Sequence, residues 1–236
     1  MYSLNTFFLF VIIVLFEGEF KLEHYFTNNT NLKSEFRTII YKYGEHTLTF
    51  TSDLGVFSKD KIDFGSRLLV ETFLRANKAG ISILDVGCGY GFIGLTLAKL
   101  SNTVSTLVDV NKRALHLAEM NAKNMGVKST IYESDIYTNV TGKFDCVLTN
   151  PPIRTGKETV MKFLIEAKNY LKENGELWFV MRKDQGAKSA IAKLTDIYAK
   201  VEVVEKSKGF YIIVCKSCWL YLLFLVQFYI GGRDSF

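Results

Sequence analysis

Proline is nearly absent: two occur in 236 residues, side by side at Pro151 and Pro152. That scarcity excludes a proline-rich or collagen-like chain and leaves a single stiffened point in the backbone. Histidine is scarce as well, with His24, His46 and His116 far apart in sequence. The four cysteines provide one C-x-x-C, at Cys215 and Cys218, and no second pair. A closed zinc site needs four ligands, so no metal is expected. Cys88 and Cys146 fall inside apolar segments that read as buried elements, which suits free thiols and a reducing, cytoplasmic compartment. There is no apolar run of the ~20 residues that a membrane helix needs. Phe7 to Phe16 is a shorter unbroken stretch, and the one from Cys218 to Ile230 is broken by Gln227. The first lacks a basic leading segment, and Glu17-Gly18-Glu19 is a poor cleavage site for a signal peptide. Residues 1–20 and 216–236 are therefore read as apolar extensions of a domain spanning 21–215. They could be membrane-associating ends, extra core elements or translation outside the true gene limits.

Within those limits the composition is that of a globular protein, 48% hydrophobic and 22% charged, long enough to bury a sizeable core. The net charge of +5 fits a polyanionic partner such as RNA, and fits a solvated lysine-rich surface equally. Phe36–Tyr41 and His46–Ser52 alternate around Tyr43-Gly44-Glu45, which predicts a hairpin. Asp63 then caps a helix running to about Ala76. From Gly80 onward strands and helices alternate. Strands are predicted at Ser82–Val86, Val104–Asp109, Ser129–Glu133, Phe144–Thr149, Glu176–Val180, Val201–Val204 and Phe210–Cys215. Helices are predicted at Phe92–Leu100, Lys112–Met125, Thr159–Leu171 and Gly186–Tyr198. The pattern predicts an α/β fold: a Rossmann-like, doubly wound, seven-stranded sheet preceded by a small hairpin and helix. Glu205 to Gly209 is too short for a crossover helix, so the last two strands should form an antiparallel hairpin at the sheet edge.

Two stretches carry the chemistry. The first is Asp85-Val86-Gly87-Cys88-Gly89-Tyr90-Gly91-Phe92-Ile93-Gly94, a strand turning sharply into a helix. Its glycines permit close approach of the backbone to a ligand. Gly89, Gly91 and Gly94 also spell G-x-G-x-x-G, with Asp109 twenty residues beyond Gly89, as in a dinucleotide site. Asp85 argues otherwise, because a carboxylate facing a pyrophosphate is unfavourable whereas an ammonium and a sulfonium would suit it. The D-x-G-x-G-x-G spacing of this stretch resembles that of class I S-adenosylmethionine-dependent methyltransferases, over residues 21–215. By that resemblance Gly87, Cys88, Gly89 and Gly91 wrap the methionine part of S-adenosylmethionine. Asp109, with Val110 beside it, takes the ribose hydroxyls. Asp135 and Ile136 lie by the adenine, although Asp135 also reads as a turn cap.

The second stretch is Asn150-Pro151-Pro152, directly after a buried strand. It resembles the N-P-P motif of amino-group methyltransferases, in which the Asn oxygen and the first proline carbonyl accept hydrogen bonds from a substrate NH₂. Asn150, Pro151 and Pro152 are thus the expected catalytic residues, with Asn150 also beside the cofactor. Many such enzymes follow the motif with an aromatic; here Ile153 stands in its place, so stacking falls to Phe57, or to Phe64. Arg154 and Lys157 supply cations next to the motif, apt for phosphate. The segment Gly55 to Leu69, with Phe57, Asp63 and Gly65, is similar to that of the small-subunit ribosomal RNA guanine-N2 methyltransferases. Phe57, Asp63, Ile153, Arg154 and Lys157 are the expected substrate contacts. The resemblance implies methylation of guanine N2 in 16S ribosomal RNA. The alternatives are another RNA, a protein glutamine amide, or a non-catalytic RNA-binding module of the same fold.

Overall fold

The computed structural model describes residues 33–217. The two apolar stretches near the ends of the chain, and Cys218 of the C-x-x-C, lie outside the described residues. Within 33–217 no helix is long and apolar enough to cross a membrane.

Among the described residues, nine strands and five α-helices alternate as the hydrophobic pattern requires. A two-stranded antiparallel unit comes first, β1 (Arg37–Tyr43) and β2 (His46–Ser52), turning at Gly44. Its period-two pattern buries Ile39, Tyr41, Leu48 and Phe50 and leaves Ile40 in solvent. Helix α1 (Phe64–Arg75) follows. Then come β3 (Ser82–Val86), α2 (Phe92–Ser101), β4 (Val104–Asp109), α3 (Lys112–Met125), β5 (Ser129–Glu133) and β6 (Phe144–Thr149). The chain continues through α4 (Lys157–Glu166), β7 (Leu171–Arg182), α5 (Ala187–Thr195), β8 (Lys200–Ser207) and β9 (Phe210–Lys216).

Strands β3 to β9 form one seven-stranded sheet in the order β5-β4-β3-β6-β7-β9-β8. The first five run parallel, and β9 is antiparallel to both β7 and β8. The predicted terminal hairpin is therefore present, with its second strand inserted inward and its first at the edge. Alternate residues of each central strand feed two separate cores. Ile83, Cys146, Leu148, Trp178, Val180, Ile212 and Val214 face α1, α2, α3 and the β1–β2 unit. Leu84, Val86, Val147, Leu177, Phe179, Ile213 and Cys215 face α4 and α5. A sheet covered on both faces explains why these strands read as continuous apolar runs rather than alternating ones. The order reverses between β3 and β6, so the crevice at their carboxyl ends is where a doubly wound sheet takes its ligand.

The small unit is fastened beside that crevice by polar groups. Asn121 of α3, fully buried, accepts from the Thr51 N–H at 2.7 Å and donates to the Thr51 and Tyr90 carbonyls, each at 2.9 Å. Arg113 pairs with the buried Asp53 at 3.0 Å. Phe50 and Tyr41 meet Phe92, at the start of α2, edge to face.

The expected elements are in place, with differences at their ends. The helix predicted to reach Leu171 stops at Glu166 and tightens into a 3-10 turn, Ala167–Tyr170, before β7. That strand is longer than predicted because an irregularity lets Leu171 pair with Phe144 ahead of the main register. Gly186, at φ +95°, lies in left-handed backbone and caps α5 instead of joining it.

Candidate active site

The glycine loop is tied to the end of β4 by its own backbone. The Gly87 and Cys88 N–H groups both donate to the Val108 carbonyl, at 2.9 and 3.0 Å. Gly89 donates to Asp109 Oδ2 at 2.8 Å, and the other oxygen of Asp109 accepts from the Asn111 N–H at 2.8 Å. Gly87 and Gly89 have φ of +72° and +56°, and a Cβ built on Gly89 would enter open space. Glycine is needed there for backbone conformation and for an uncovered rim. At Gly91, at φ +90°, a steric requirement joins the conformational one, and at Gly94 the requirement is steric alone. A Cβ would lie 2.7 Å from Leu95 at the first and 2.9 Å from Leu107 at the second.

Asp85 does not face outward. It is fully buried, and its Oδ2 accepts from the Gly94 N–H at 2.8 Å. Gly91, the residue that begins α2, has no side chain to cap the helix, so Asp85 reaches across from β3 to satisfy an orphaned N–H. Its Oδ1 is buried without a partner. Burial, with the nearby Asp109 carboxylate adding to it, pushes the Asp85 carboxyl up to about 7. Burial also raises the carboxyl of Asp109, opposed by the N–H groups it accepts from. Cys88 is buried, which raises its thiol well above the usual range.

Next to β4, the turn after β5 carries the remaining expected cofactor residues. Ser134 donates its N–H to the Asp109 carbonyl at 3.0 Å and its hydroxyl to the Ile136 carbonyl at 3.1 Å. Ile136, β-branched, is held at φ +52°, a strained conformation that the surrounding hydrogen bonds enforce. The Asp135 side chain is exposed, and it is the Asp135 carbonyl that shapes the turn, accepting from Thr138. Val110, half-buried, follows Asp109.

On the other side of the crevice, Thr149 at the end of β6 donates its hydroxyl to the Val86 carbonyl at 2.8 Å, joining the Asn150 segment to the glycine loop. The Asn150 amide nitrogen donates to Asp63 Oδ2 at 3.0 Å and to Ser66 Oγ at 2.9 Å. A carboxylate can only accept, so this pairing assigns the Nδ2 end of the amide to Asp63 and leaves Oδ1 with no donor among the described residues. Asp63 also caps α1, its Oδ2 accepting from the Ser66 N–H at 2.8 Å. The Pro152 carbonyl is committed to the Thr155 N–H and hydroxyl, at 3.0 and 2.7 Å. The Pro151 carbonyl has no donor among the described residues.

The expected substrate residues divide. Asp63 joins Asn150 directly. Phe57 is 54% exposed, in a loop whose Gly55 carbonyl accepts from Asn111, next to the end of β4. Ile153 packs partly into the α4–α5 core, which explains how an aliphatic residue serves at that place. Arg154 is exposed on the turn after Pro152. Lys157 lines a groove of about 490 Å³ between α4 and α5, with Met161, Ile165 and Lys193, on the outer face. Ser66, Thr149 and Ser134 were not singled out from sequence.

The family model for the methyltransferase small domain matches residues 47–214. The uncharacterized protein YbxB of Bacillus subtilis (strain 168) is 46% identical over 199 residues, covering 83% of this chain and 98% of that protein. Ribosomal RNA small subunit methyltransferase C of Buchnera aphidicola subsp. Acyrthosiphon pisum is 36% identical over 154 residues, 63% of this chain and 44% of the relative. The T. thermophilus 16S rRNA N2 G1207 methyltransferase (RsmC), solved in complex with AdoMet and guanosine, superimposes with a TM-score of 0.71. It is 22% identical, over 79% of this chain and 52% of that one, a likeness of fold. The chain thus spans nearly all of YbxB but about half the length of the ribosomal RNA methyltransferases it matches. The chain belongs to the methyltransferase small domain family.

Proposed function

We propose that this chain transfers a methyl group from S-adenosylmethionine to an exocyclic amine, with guanine N2 of 16S ribosomal RNA as its acceptor. The observation that carries this reading is the fixed amide of Asn150, held through its nitrogen by Asp63 and Ser66 with its oxygen left over. Two acceptors, Asn150 Oδ1 and the Pro151 carbonyl, suit the two hydrogens of an NH₂ group. Accepting both aims the nitrogen lone pair away from the protein wall and toward the glycine loop, which Thr149 joins to the same segment. The contribution is orientation plus electrostatics, set in advance by bonds that do not depend on the substrate. No group in this trio needs to remove a proton before the N–C bond forms; the proton leaves the nitrogen afterward to water.

The loop fits the donor. Gly87 and Gly89 expose backbone beside an open rim, and Asp109 is held at its foot by two N–H groups. Bound there, S-adenosylmethionine would supply an electrophilic methyl group on a sulfonium. Gly87, Cys88, Gly89 and Gly91 would border its methionine part, Asp109 and Val110 its ribose, and Asp135 and Ile136 its adenine. Asp85 would act from below, by holding the start of α2 and by its field, since its side chain is buried. Phe57 and Arg154 remain as contacts to the acceptor; Lys157, on the outer groove, suits at most the RNA backbone.

A direct test offers isotopically labelled S-adenosylmethionine with free guanosine, adenosine or cytidine. Label in guanosine, lost in Asn150→Ala with cofactor affinity retained, is expected. Transfer to adenosine or cytidine in preference to guanosine would overturn the assignment, as would undiminished transfer in the variant.

A further inference from the structure

A second feature runs along the same carboxyl edge of the sheet. Phe64, adjoining Asp63, and Phe210, at the start of β9, lie with ring centroids 5.4 Å apart. Three cations sit over rings of this patch. Arg67 and Lys208 lie 5.4 and 5.1 Å from the Phe64 centroid, and Arg182 5.3 Å from that of Phe210. Strand register contributes to the arrangement: Arg182 stands opposite Phe210, while Tyr211 and its partner Lys206 point to the other face of the sheet. The tight turn at Lys208-Gly209 is held down by the Lys183 N–H on the Gly209 carbonyl at 2.9 Å.

The acids nearby only partly offset these charges. Asp184 takes Arg182 in a two-pronged pair at 2.9 Å, and Glu205 is engaged by Arg75 at 2.8 Å. Glu71 reaches Arg67 only at 3.9 Å, and Asp63 is occupied by Asn150 and its own helix. Lys208 forms no ion pair among the described residues. An aromatic face fixes a cation's position without neutralising it. The patch is thus a row of pre-placed positive charges interleaved with half-buried rings and guanidinium planes. Single-stranded RNA presents the complement, phosphates for the charges and unpaired bases for the planes.

We propose that this strip, from Phe64 across Phe210 to Lys208, carries the single-stranded RNA that flanks the target nucleotide. The inference deepens the RNA reading above and rests on it for the identity of the target, while binding itself can be measured apart from transfer. The strip begins at Phe64, one residue from the carboxylate that holds Asn150, so a strand lying on it leads into the transfer site.

The test compares wild type with the double variant R67Q/K208Q, the two cations over Phe64, for binding of a fluorescent single-stranded RNA across a salt series. A control, K128Q/K200Q, makes the same charge change just before β5 and at the start of β8, at the opposite edge of the sheet. Two lost phosphate contacts lower the slope of log affinity against log salt by about 1.4 and weaken binding roughly ten- to thirty-fold at 0.1 M salt. The control keeps the wild-type slope, and transfer to free guanosine is unchanged in both variants. Equal RNA binding by wild type and R67Q/K208Q, or an equal loss in the control, would overturn the proposal. So would wild-type protein that binds polyglutamate but not RNA. Absence of guanosine methylation in all three proteins would count against the proposed function alone and leave the binding result standing.

Discussion

Removing Asp63 should separate two jobs that the structure gives to one carboxylate. As the cap of α1 it accepts from the Ser66 N–H at 2.8 Å, and as an anchor it accepts from Asn150 Nδ2 at 3.0 Å. Losing a helix cap of this kind costs about 1 kcal/mol. That corresponds to a fall in Tm of roughly 2–4 °C for a domain of this size. Losing a hydrogen bond to a charged acceptor costs about 1.5–3 kcal/mol. If that energy holds the Asn150 amide in its productive pose, kcat falls roughly 10- to 150-fold. Ser66→Ala keeps the cap N–H and deletes only the neutral acceptor, so it should lower kcat about five-fold with little change in Tm. The assay is initial-rate transfer to guanosine at saturating cofactor, with thermal unfolding of the same samples. Asp63→Ala with the expected loss of Tm but unchanged kcat would refute the anchoring role and leave Asp63 as a helix cap alone.

Other consequences follow from the same geometry. Asp109→Ala removes the acceptor of the Gly89 and Asn111 N–H groups, and calorimetry should show cofactor affinity reduced at least ten-fold; unaltered affinity would contradict the assignment. Gly91→Ala forces a side chain into backbone at φ +90° and against Leu95, and should destabilise by about 2–5 kcal/mol, read by urea unfolding. Asp85 gives a pH signature. Its folded carboxyl titrates near 7 and its unfolded one near the ordinary ~4, so the folded state holds the extra proton between them. Stability from this group therefore falls as pH rises from about 4 to about 7 and is flat above. Asp85→Asn should flatten that stretch of the unfolding profile; parallel profiles for wild type and variant would exclude the buried acid as its source.

The fold was legible because hydrophobic pattern carried it. Several strands run over the residues expected, and α3 begins at Lys112 and ends at Met125, flanked by Asn111 and Gly126, both readable as caps. What sequence could not give was where the polar side chains turn. Asp85 looked like a ligand contact because it precedes the glycines, yet its position on β3 buries it under the loop as a helix cap. Ser66 and Thr149 escaped notice because their partners, Asn150 and Val86, lie 84 and 63 residues away, across strand pairings that one-dimensional spacing does not encode. The aromatic–cation strip was hidden for the same reason, since α1, β7 and the β8–β9 turn meet only in the folded sheet. Lys157 follows the Asn150 motif closely in sequence, and its place as the first residue of α4, lining the α4–α5 groove, is a feature of the fold that spacing does not encode.

The central claim is that Asn150 presents guanine N2 of an RNA to a methyl donor held by the glycine loop. It is tested most directly by incubating the protein with labelled S-adenosylmethionine and separated RNA species, 16S ribosomal RNA and small ribosomal subunits among them. The RNA is then digested, and the labelled nucleoside identified. Label is expected in N2-methylguanosine from the small-subunit RNA, and is absent with Asn150→Ala. Label confined to protein, or carried on a different base, would contradict it.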